Sequence, residues 1–500
     1  MVRLASFRTP ILIKSKRRED VRLLSDQSKR HSKSSGIVWK KMDDYQRKAV
    51  QFAQQVKTAA LFLEQGLGKT LLTLGLIEKL VDDKFKALLV VPLTNVVSTW
   101  ETSILSDLPQ VVLCRDWASF KASPCPKILL LHYEALPKIV QKVRRIDFTL
   151  IAYDESQRLK SRSTLAARTA HKLRNSSTYK LILSGTPIDS SPSDVWSQFV
   201  FLNDEVLGDS WKFFEDEYFE KIDLDYSKLH NKRRGTIAWK KELMKIQIKK
   251  RNRGFDMSKL NQFINSIKPY SMRLTKDILD LPPPKIIYKN CVMRGKQKSL
   301  YSILLKNFVS ELPTITTPLK VSQLAKLCQI TGGFVFDDEG DIHLVGYAKL
   351  NKLLDILEVK DPPIVIFAKY RAEVEAIEEL CKEMGVTRVL TGKTPKADRP
   401  NIIRQFQSNK IDYLVCQQRT GGVGVDLFAS HIVIFYSVGF SFIDFEQAMA
   451  RVHRRGQTKR VLAFLLVAQD TVDVEVYDAI VNKRKISDSV LTRMVRKKLL

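Results

Sequence analysis

Two series of strand-length hydrophobic runs, each interrupted by helical segments, dominate the pattern along the chain. The first series consists of TAALFLE (58–64), KALLVVP (86–92), PKILLLHYE (126–134), FTLIAYDE (148–155) and YKLILSG (179–185). The second consists of PPIVIFAKY (362–370), VTRVLTG (386–392), KIDYLVCQ (410–417), SHIVIFYS (430–437) and RVLAFLLVA (460–468). Nearly continuous hydrophobic strands that alternate with helices are typical of parallel sheets covered on both faces. The pattern therefore predicts two α/β sheet domains in tandem.

The stretch between the two series differs from both. Residues 205–280 are aromatic and basic and lack strand-like alternation, and DLPPP (280–284) follows with prolines that favour extended backbone. We therefore expect the following parts: a basic N-terminal arm (1–38), a first lobe (39–280) that includes a basic helical protrusion (205–270), a second lobe (281–490) and a basic tail (491–500).

The charge of the chain indicates a polyanionic partner. The 83 Lys and Arg residues outnumber the 54 Asp and Glu residues, for a net charge of +29. The excess lies in three blocks, residues 1–45, 226–260 and 483–500. Clustered cations bind phosphate backbones because each contact releases condensed counterions. The pattern favours nucleic acid over two alternatives, a solvated surface and a membrane surface bound through a basic helix at 239–251.

Several protein classes do not fit the sequence. The longest apolar runs, HIVIFY (431–436) and AFLLVA (463–468), are too short to span a bilayer, and the N-terminus does not resemble a secretory signal. The six cysteines are scattered without a CxxC pair, which argues against a zinc site or a disulfide framework. We therefore expect a soluble intracellular monomer without membrane contact or structural zinc, in the cytoplasm, nucleoid or nucleus depending on the host.

A glycine-rich segment, LEQGLGKT (63–70), lies between the first predicted strand and the helix after it. This is the position of a phosphate-binding loop, whose backbone N–H groups converge on phosphates at the helix N-terminus. Lys69 adds a positive charge toward the β- and γ-phosphates of ATP, and the Thr70 hydroxyl completes Mg²⁺ coordination. Gly66 and Gly68 allow the backbone to approach the phosphates closely.

The carboxylates that such a loop needs follow the predicted strand LIAYDE (150–155). Asp154 is expected to bind Mg²⁺, and Glu155 to polarise the water that attacks the γ-phosphate. Without the loop, this pair would be interpreted as a solvated strand end. Together, the loop and the pair predict an enzyme that hydrolyses ATP with Mg²⁺.

Nine motifs, over about residues 40–490, resemble those of the Swi/Snf-type branch of helicase superfamily two. In chain order they are DDYQRKAVQFA (43–53), LEQGLGKT (63–70), VVPLTNVVSTWE (90–101), YDESQRLKS (153–161), LSGTPIDSS (183–191), VWSQFVFLN (195–203), MRLTKDILDLPPPK (272–285), RTGGVGVDLFAS (419–430) and QAMARVHRRGQTKRV (447–461). The resemblance implies two RecA-like lobes with an ATP cleft between them, in a compact form without chromatin-reader modules. Three positions depart from the family pattern, namely Gln157 in place of a histidine, Ser190 and Asp426. Leu63 replaces the first glycine of a strict Walker A loop, but the family motif DEMGLGKT lacks that glycine as well.

The resemblance also implies roles for individual residues. Gln46 is expected to bind the adenine ring, and Arg451 and Arg454 to reach the γ-phosphate from the second lobe as arginine fingers. From the residues alone, these arginines could equally form another cationic surface. The other residues expected to bind the nucleotide are Gly66, Leu67, Gly68, Lys69, Thr70, Gly424, Asp426 and Gln447.

The track implied by the resemblance is double-stranded DNA. Ser184, Thr186 and Thr420 are expected to contact its phosphates or to couple them to ATP. The other residues expected to contact nucleic acid are Thr94, Lys232, Arg233, Arg234, Trp239, Lys249, Lys250 and Arg251.

The expected function is ATP-driven translocation on DNA, with branch migration, fork regression or annealing of branched DNA in replication, recombination or repair. Three alternatives stay open: a conventional strand-separating helicase, a motor that displaces proteins from DNA, and a DNA-binding scaffold that does not hydrolyse ATP.

Overall fold

The structure is a computed structural model that describes residues 36–93, 96–188, 191–220, 254–279, 281–311, 317–337, 339–395, 397–418, 426–439, 442–474 and 476–477. Within these ranges the chain forms two α/β lobes, each built on a parallel sheet. The fold class that the hydrophobic pattern predicted is therefore confirmed.

Seven strands of the described chain form the sheet of the first lobe. They are β1 (Thr58–Leu63), β2 (Lys86–Val91), β3 (Val112–Cys114), β4 (Lys127–His132), β5 (Phe148–Asp154), β6 (Ser177–Leu183) and β7 (Ser271–Leu274). Their order across the sheet is β3-β4-β2-β5-β6-β1-β7, and every paired neighbour is parallel. The carboxyl ends of the central strands β1, β5 and β6 therefore meet at one edge of the sheet.

Helices cover both faces of this first sheet. They are α1 (Ile37–Lys41), α2 (Asp44–Val56), α3 (Lys69–Leu80), α4 (Thr102–Asp107), α5 (Trp117–Ala122), α6 (Leu136–Val143), α7 (Leu165–Lys172), α8 (Trp196–Leu202), α9 (Asp204–Leu207), α10 (Trp211–Tyr218) and α11 (Leu260–Ile267). A π-helical turn spans Val96–Glu101, and 3₁₀ turns span Ser156–Leu159, Pro192–Val195, Met257–Lys259, Lys268–Tyr270 and Lys276–Leu279. Two hydrophobic clusters, one for each face, account for the continuous burial of the central strands.

The second lobe has a six-stranded parallel sheet within the described residues. Its strands are β8 (Lys285–Cys291), β11 (Ile364–Ala368), β12 (Thr387–Leu390), β13 (Tyr413–Gln417), β14 (Ile432–Phe435) and β15 (Leu462–Ala468), in the order β12-β13-β11-β14-β15-β8. A separate antiparallel pair consists of β9 (Phe334–Phe336) and β10 (Ile342–Leu344). The helices are α12 (Gly295–Glu311), α13 (Thr317–Gly332), α14 (Ala348–Leu357), α15 (Arg371–Lys382), α16 (Arg399–Gln407) and α17 (Phe442–Val452).

The predicted basic protrusion is described only at its two ends. There, the aromatic side chains pack into the core of the first lobe: the ring centroids of Trp196 and Trp211 lie 5.2 Å apart, and those of Phe255 and Phe263 lie 5.5 Å apart. Residues 221–253, which carry the predicted DNA contacts from Lys232 to Arg251, lie outside the described residues. No helix in the described parts of the chain is long and apolar enough to cross a membrane.

A buried ion pair joins three parts of the second lobe. The Nζ atom of Lys349 in α14 lies 2.6 Å from Oδ2 of Asp473, and both side chains are almost wholly buried. Asp473 also accepts hydrogen bonds from the Thr331 hydroxyl at 2.8 Å and from the Ala468 N–H at 3.1 Å. Burial opposes the charge of Lys349, yet Asp473 holds the pKa of this ammonium above its ordinary value.

Replacing Lys349 by methionine is expected to lower the free energy of unfolding by about 3 to 5 kcal/mol, because Asp473 would remain buried without its cation. The double variant Lys349→Met/Asp473→Asn is expected to recover much of this loss. The amide oxygen can accept the bond from the Ala468 N–H, while the amide nitrogen donates to the Thr331 hydroxyl, whose own hydrogen is directed at the Cys328 carbonyl. Chemical denaturation of the purified variants measures both changes.

Lys352→Met is the matched control on the same helix. Lys352 pairs with Asp355 at 2.6 Å, but the two side chains are 33% and 60% exposed. An exposed pair of this kind contributes only about 0.3 to 0.5 kcal/mol. Equal destabilisation by Lys349→Met and Lys352→Met would contradict this account of the buried pair.

Candidate active site

The phosphate loop lies between β1 and α3, as predicted. Gly66 and Gly68 have φ angles of +93° and +79°, in the left-handed region that favours glycine. Gly68 is the N-cap of α3, which starts at Lys69 and directs its free N–H groups toward the loop. The backbone that precedes Lys69 and Thr70 is therefore arranged as a phosphate cradle requires.

Gln46 holds this loop in place from α2. Its amide donates a hydrogen bond to the Leu67 carbonyl at 3.0 Å and accepts one from the Asp43 N–H at 3.0 Å. A Cβ atom at Gly68 would lie 2.3 Å from the same amide nitrogen, so only glycine fits there. Gln46 therefore packs on the nucleotide loop, and its predicted contact with adenine stays a prediction.

The acidic pair lies where β5 ends, directly opposite the loop. Asp154 is the last residue of the strand, and Glu155 adopts a left-handed backbone conformation with φ of +52°, which is strained for a residue with a side chain. The Tyr133 hydroxyl stabilises this turn by donating to the Asp154 carbonyl at 2.7 Å. The turn points both carboxylates into the cleft instead of placing one on each face of the sheet.

Four side-chain donors hold the two carboxylates. Lys69 Nζ lies 3.4 Å from Glu155 Oε1, and the Gln157 amide donates to Oε2 at 2.8 Å. The Gln65 amide donates to Oε1 at 3.1 Å, and the Trp100 indole N–H donates to Asp154 Oδ2 at 3.0 Å. Neither Gln65 nor Trp100 was among the predicted site residues.

These contacts and the burial of the site shift the pKa values of the two carboxylates in opposite directions. Burial, followed by repulsion from Glu155, raises the pKa of Asp154 to about 6. Burial also acts to raise the pKa of Glu155, but the Lys69 charge and the bonds from Gln157 and Gln65 hold this pKa below its ordinary value. Glu155 is therefore ionised at neutral pH, as the activation of a water molecule requires.

Gln157, one of the departures from the family pattern, connects two motifs. Its amide oxygen accepts a hydrogen bond of 2.7 Å from the Ser184 hydroxyl, while its nitrogen donates to Glu155. Ser184 is fully buried, so in this structure its hydroxyl faces Gln157 and not a surface that DNA could reach, which corrects its predicted contact with DNA phosphates. The Thr186 hydroxyl, in the same SGTP segment, is buried and has no hydrogen-bond partner.

Glu64 anchors the other end of the loop to the segment that leads into the second lobe. It accepts hydrogen bonds from the Arg273 guanidinium at 3.1 Å and from the Lys276 N–H at 3.0 Å. The Lys276 ammonium then donates to the His453 carbonyl of the second lobe at 2.8 Å. The loop is thus connected to both lobes through one glutamate.

The second lobe brings its arginines to the phosphate loop. A Cβ atom at Gly66 would lie 3.1 Å from Cβ of Arg454, so the two lobes touch at this glycine. Arg454 forms an ion pair with Asp426. Burial and repulsion from Arg454 lower the pKa of Arg451 to about 10, while the charges of Glu155, Asp426 and Asp154 oppose this shift.

An ion pair between the lobes lies on the side of the cleft where α2 begins. Arg455 binds Asp43 at 2.8 Å, and Asp43 caps α2 in a reciprocal arrangement with Gln46. From the residues alone, a cationic surface is the alternative for the whole cluster of Arg451, His453, Arg454 and Arg455. Arg455 fits that description, since its side chain is 57% exposed, whereas Arg454 is 21% exposed and faces the phosphate loop.

The structure thus brings most of the predicted catalytic and nucleotide-binding residues together. Gln447 lies on α17, partly buried, one turn before Arg451. Gly424, Thr94 and Thr420, together with the predicted contacts between 232 and 251, lie outside the described residues. The sequence carries a signal for Gln65, because the family motif DEMGLGKT has a methionine at the position of this glutamine.

Family models match both lobes. Residues 45–330, more than half of the chain, match the model described as the SNF2-related domain, and residues 348–456 match the helicase conserved C-terminal domain. This result confirms the resemblance that the motifs indicated.

Three known proteins illustrate the similarity. The chain is 22% identical over 462 residues to the putative ATP-dependent helicase/translocase YwqA of Bacillus subtilis, covering 87% of this chain and 46% of that protein. It is 24% identical over 495 residues to the DNA repair and recombination protein RAD54B of Gallus gallus, covering 87% and 51%. A solved structure of the Sulfolobus solfataricus SWI2/SNF2 ATPase core in complex with dsDNA has 23% identity and a TM-score of 0.38, with 90% and 92% covered. The chain spans about half the length of the two curated relatives.

Replacing Arg454 by alanine is expected to lower kcat for ATP about 10³-fold with a smaller change in KM, because an arginine finger acts on charge that develops during phosphoryl transfer. Steady-state ATP turnover measures this effect.

Arg455→Ala is the matched control, one residue away on the exposed side. Its ion pair with Asp43 is worth less than about 1 kcal/mol, so kcat should change by less than about fivefold. The assignment of Arg454 fails if the two substitutions reduce kcat to the same extent.

Proposed function

We propose that this chain, which belongs to the SNF2-related family, hydrolyses ATP and uses the cycle to move along double-stranded DNA. The observation that carries the proposal is the composition of the cleft. Lys69 and Glu155 come from the first lobe, Arg454 comes from the second, and Arg454 lies against Gly66 of the phosphate loop.

Three residues of the cleft, Lys69, Glu155 and Arg454, act in the proposed chemical step. When ATP binds, Lys69 turns from Glu155 to the phosphate oxygens, and Arg454 exchanges Asp426 for the γ-phosphate. Glu155, held by its two glutamine donors, accepts a hydrogen bond and then the proton from the attacking water. After hydrolysis, Arg454 loses its phosphate partner and the second lobe is free to move relative to the first.

Mg²⁺ fits the acidic pair. Asp154 and Glu155 bring two carboxylates to a buried site that has one nearby ammonium, Lys69, and the pKa of Asp154 is raised accordingly. A divalent cation prefers such oxygen ligands, and Asp154 with the Thr70 hydroxyl would hold it. Bound there, Mg²⁺ would neutralise charge on the β- and γ-phosphates.

Asp154→Asn and Thr70→Ala are therefore expected to raise the Mg²⁺ concentration needed for half-maximal turnover about tenfold or more. Thr70→Ser keeps the hydroxyl and should behave like the wild type. Titration of turnover with Mg²⁺ at fixed ATP makes the comparison, and an unchanged requirement in Asp154→Asn would exclude it as a ligand.

Double-stranded DNA is proposed as the track because of the family and the charge. The net charge is +29, and the most basic block, residues 226–260, lies in the sequence of the first lobe between α10 and α11. Lobe movement becomes a step along the duplex if both lobes hold its backbone. The buried path from Ser184 through Gln157 to Glu155 supports a coupling role for the SGTP segment.

Remodelling of branched DNA is the most specific form of this proposal. It draws on relatives named for DNA repair and recombination, such as RAD54B of Gallus gallus. Branch migration, fork regression and annealing all need a motor that follows duplex arms. The strand-separating helicase, the protein-displacing motor and the non-hydrolysing scaffold are the alternatives.

ATP turnover is expected to increase strongly with duplex or Holliday-junction DNA, and less with single-stranded DNA or RNA. The reason is that both lobes can bind the phosphate backbone of a duplex. The measurement is steady-state turnover without nucleic acid and with each of the four. Lys69→Ala and Glu155→Gln serve as blanks, in which turnover should fall to a small residual rate that no nucleic acid raises.

Each other outcome selects a rival. Stimulation by single strands alone would favour the conventional helicase. Equal stimulation by plain duplex and junction would remove the support for branched DNA and leave the protein-displacing motor. No turnover with any nucleic acid would leave a scaffold whose loop only binds ATP.

A further inference from the structure

The carboxylate of Glu155 is held at both oxygens by amides. Gln157 donates to Oε2 at 2.8 Å, and Gln65 donates to Oε1 at 3.1 Å. Lys69 shares Oε1 at a longer distance of 3.4 Å. Of these three donors, Lys69 is the one that would turn to the phosphates when ATP binds. The two amides would then hold the Glu155 carboxylate in place.

The path of the Gln65 side chain is set by the SGTP segment. A Cβ atom at Gly185 would lie 3.3 Å from Nε2 and 3.5 Å from Cγ of Gln65, and 3.2 Å from the Leu63 carbonyl oxygen. The side chain therefore crosses directly over the Gly185 backbone to reach Glu155. That backbone is itself fixed, because the Gly185 carbonyl accepts a hydrogen bond of 3.1 Å from Arg273.

Two neighbouring residues of one segment thus act on the same carboxylate. Ser184 bonds to Gln157, which bonds to Oε2, and Gly185 supports Gln65, which bonds to Oε1. Gln65 also belongs to the phosphate loop, one residue before Gly66, whose Cβ position faces Arg454. Its amide therefore connects the phosphate loop to the Glu155 carboxylate.

We propose that Gln65 is a positioning residue for ATP hydrolysis: it orients the Glu155 carboxylate toward the attacking water. This inference rests on the proposed role of Glu155 as the base. The proposed role acts through Glu155, because one N–H of the Gln65 amide is directed at Oε1.

Gln65→Met tests the proposal because methionine keeps the length of the side chain and removes the donor. The expected result is a loss in kcat of about 10- to 100-fold, the effect of removing one hydrogen bond to a charged group, with KM for ATP within about twofold. Gln54→Met, the same substitution at an exposed position of α2, is the control and should leave both constants unchanged.

A second comparison separates positioning from general damage to the loop. In a Glu155→Gln background, Gln65→Met should cause no further loss of the residual turnover, because Gln65 acts only through Glu155. Gly185→Ala should reproduce part of the kcat defect by displacing Gln65. Thermal unfolding of each variant verifies that it is folded.

Three results would overturn the inference. An unchanged kcat in Gln65→Met would show that the bond to Glu155 does not matter. A raised KM with unchanged kcat would make Gln65 a nucleotide ligand, and additive losses with Glu155→Gln would show an effect outside that carboxylate. Absence of turnover in the wild-type protein is different, since it refutes the proposed function and the inference together.

Discussion

The buried carboxylate of Glu155 is the constraint on which the arrangement of the cleft depends. A carboxylate taken out of water is costly unless it is paired and hydrogen-bonded, and here three donors from separate segments meet that need. One donor comes from the start of α3, one from the phosphate loop and one from the 3₁₀ turn after β5. The left-handed backbone at Glu155 is strained, and the pairing offsets this strain.

Contacts between the lobes converge on the same loop. Arg454 lies against Gly66, and Glu64 connects through Lys276 to the His453 carbonyl. A change in the phosphates held by this loop therefore acts on the second lobe directly, without a long path through the core. This arrangement supports the proposed cycle, in which binding and hydrolysis of ATP move one lobe relative to the other.

The sequence was informative where local pattern determines structure. Continuous hydrophobic runs predicted the buried strands of both sheets, and the strand-loop-helix order placed Lys69 and Asp154 correctly at one edge. Strands β3, β7 and β8 were missed because they lie at sheet edges, where the hydrophobic pattern is weak, and the separate pair β9 and β10 was missed because each strand has three residues. The bond between Gln65 and Glu155 joins residues 90 positions apart, and no spacing rule reports such a contact. The inward direction of Ser184 likewise follows from packing and not from its motif.

The central claim of the proposal is that the buried path from Ser184 through Gln157 to Glu155 couples DNA held by the lobes to the hydrolysis of ATP, although Ser184 itself does not reach the DNA. Single-turnover cleavage of bound ATP, with and without duplex DNA, tests it most directly in the wild type and in Ser184→Ala. The account predicts that duplex DNA accelerates cleavage in the wild type, while Ser184→Ala stays near its DNA-free rate. Equal acceleration of both proteins by the duplex would contradict it.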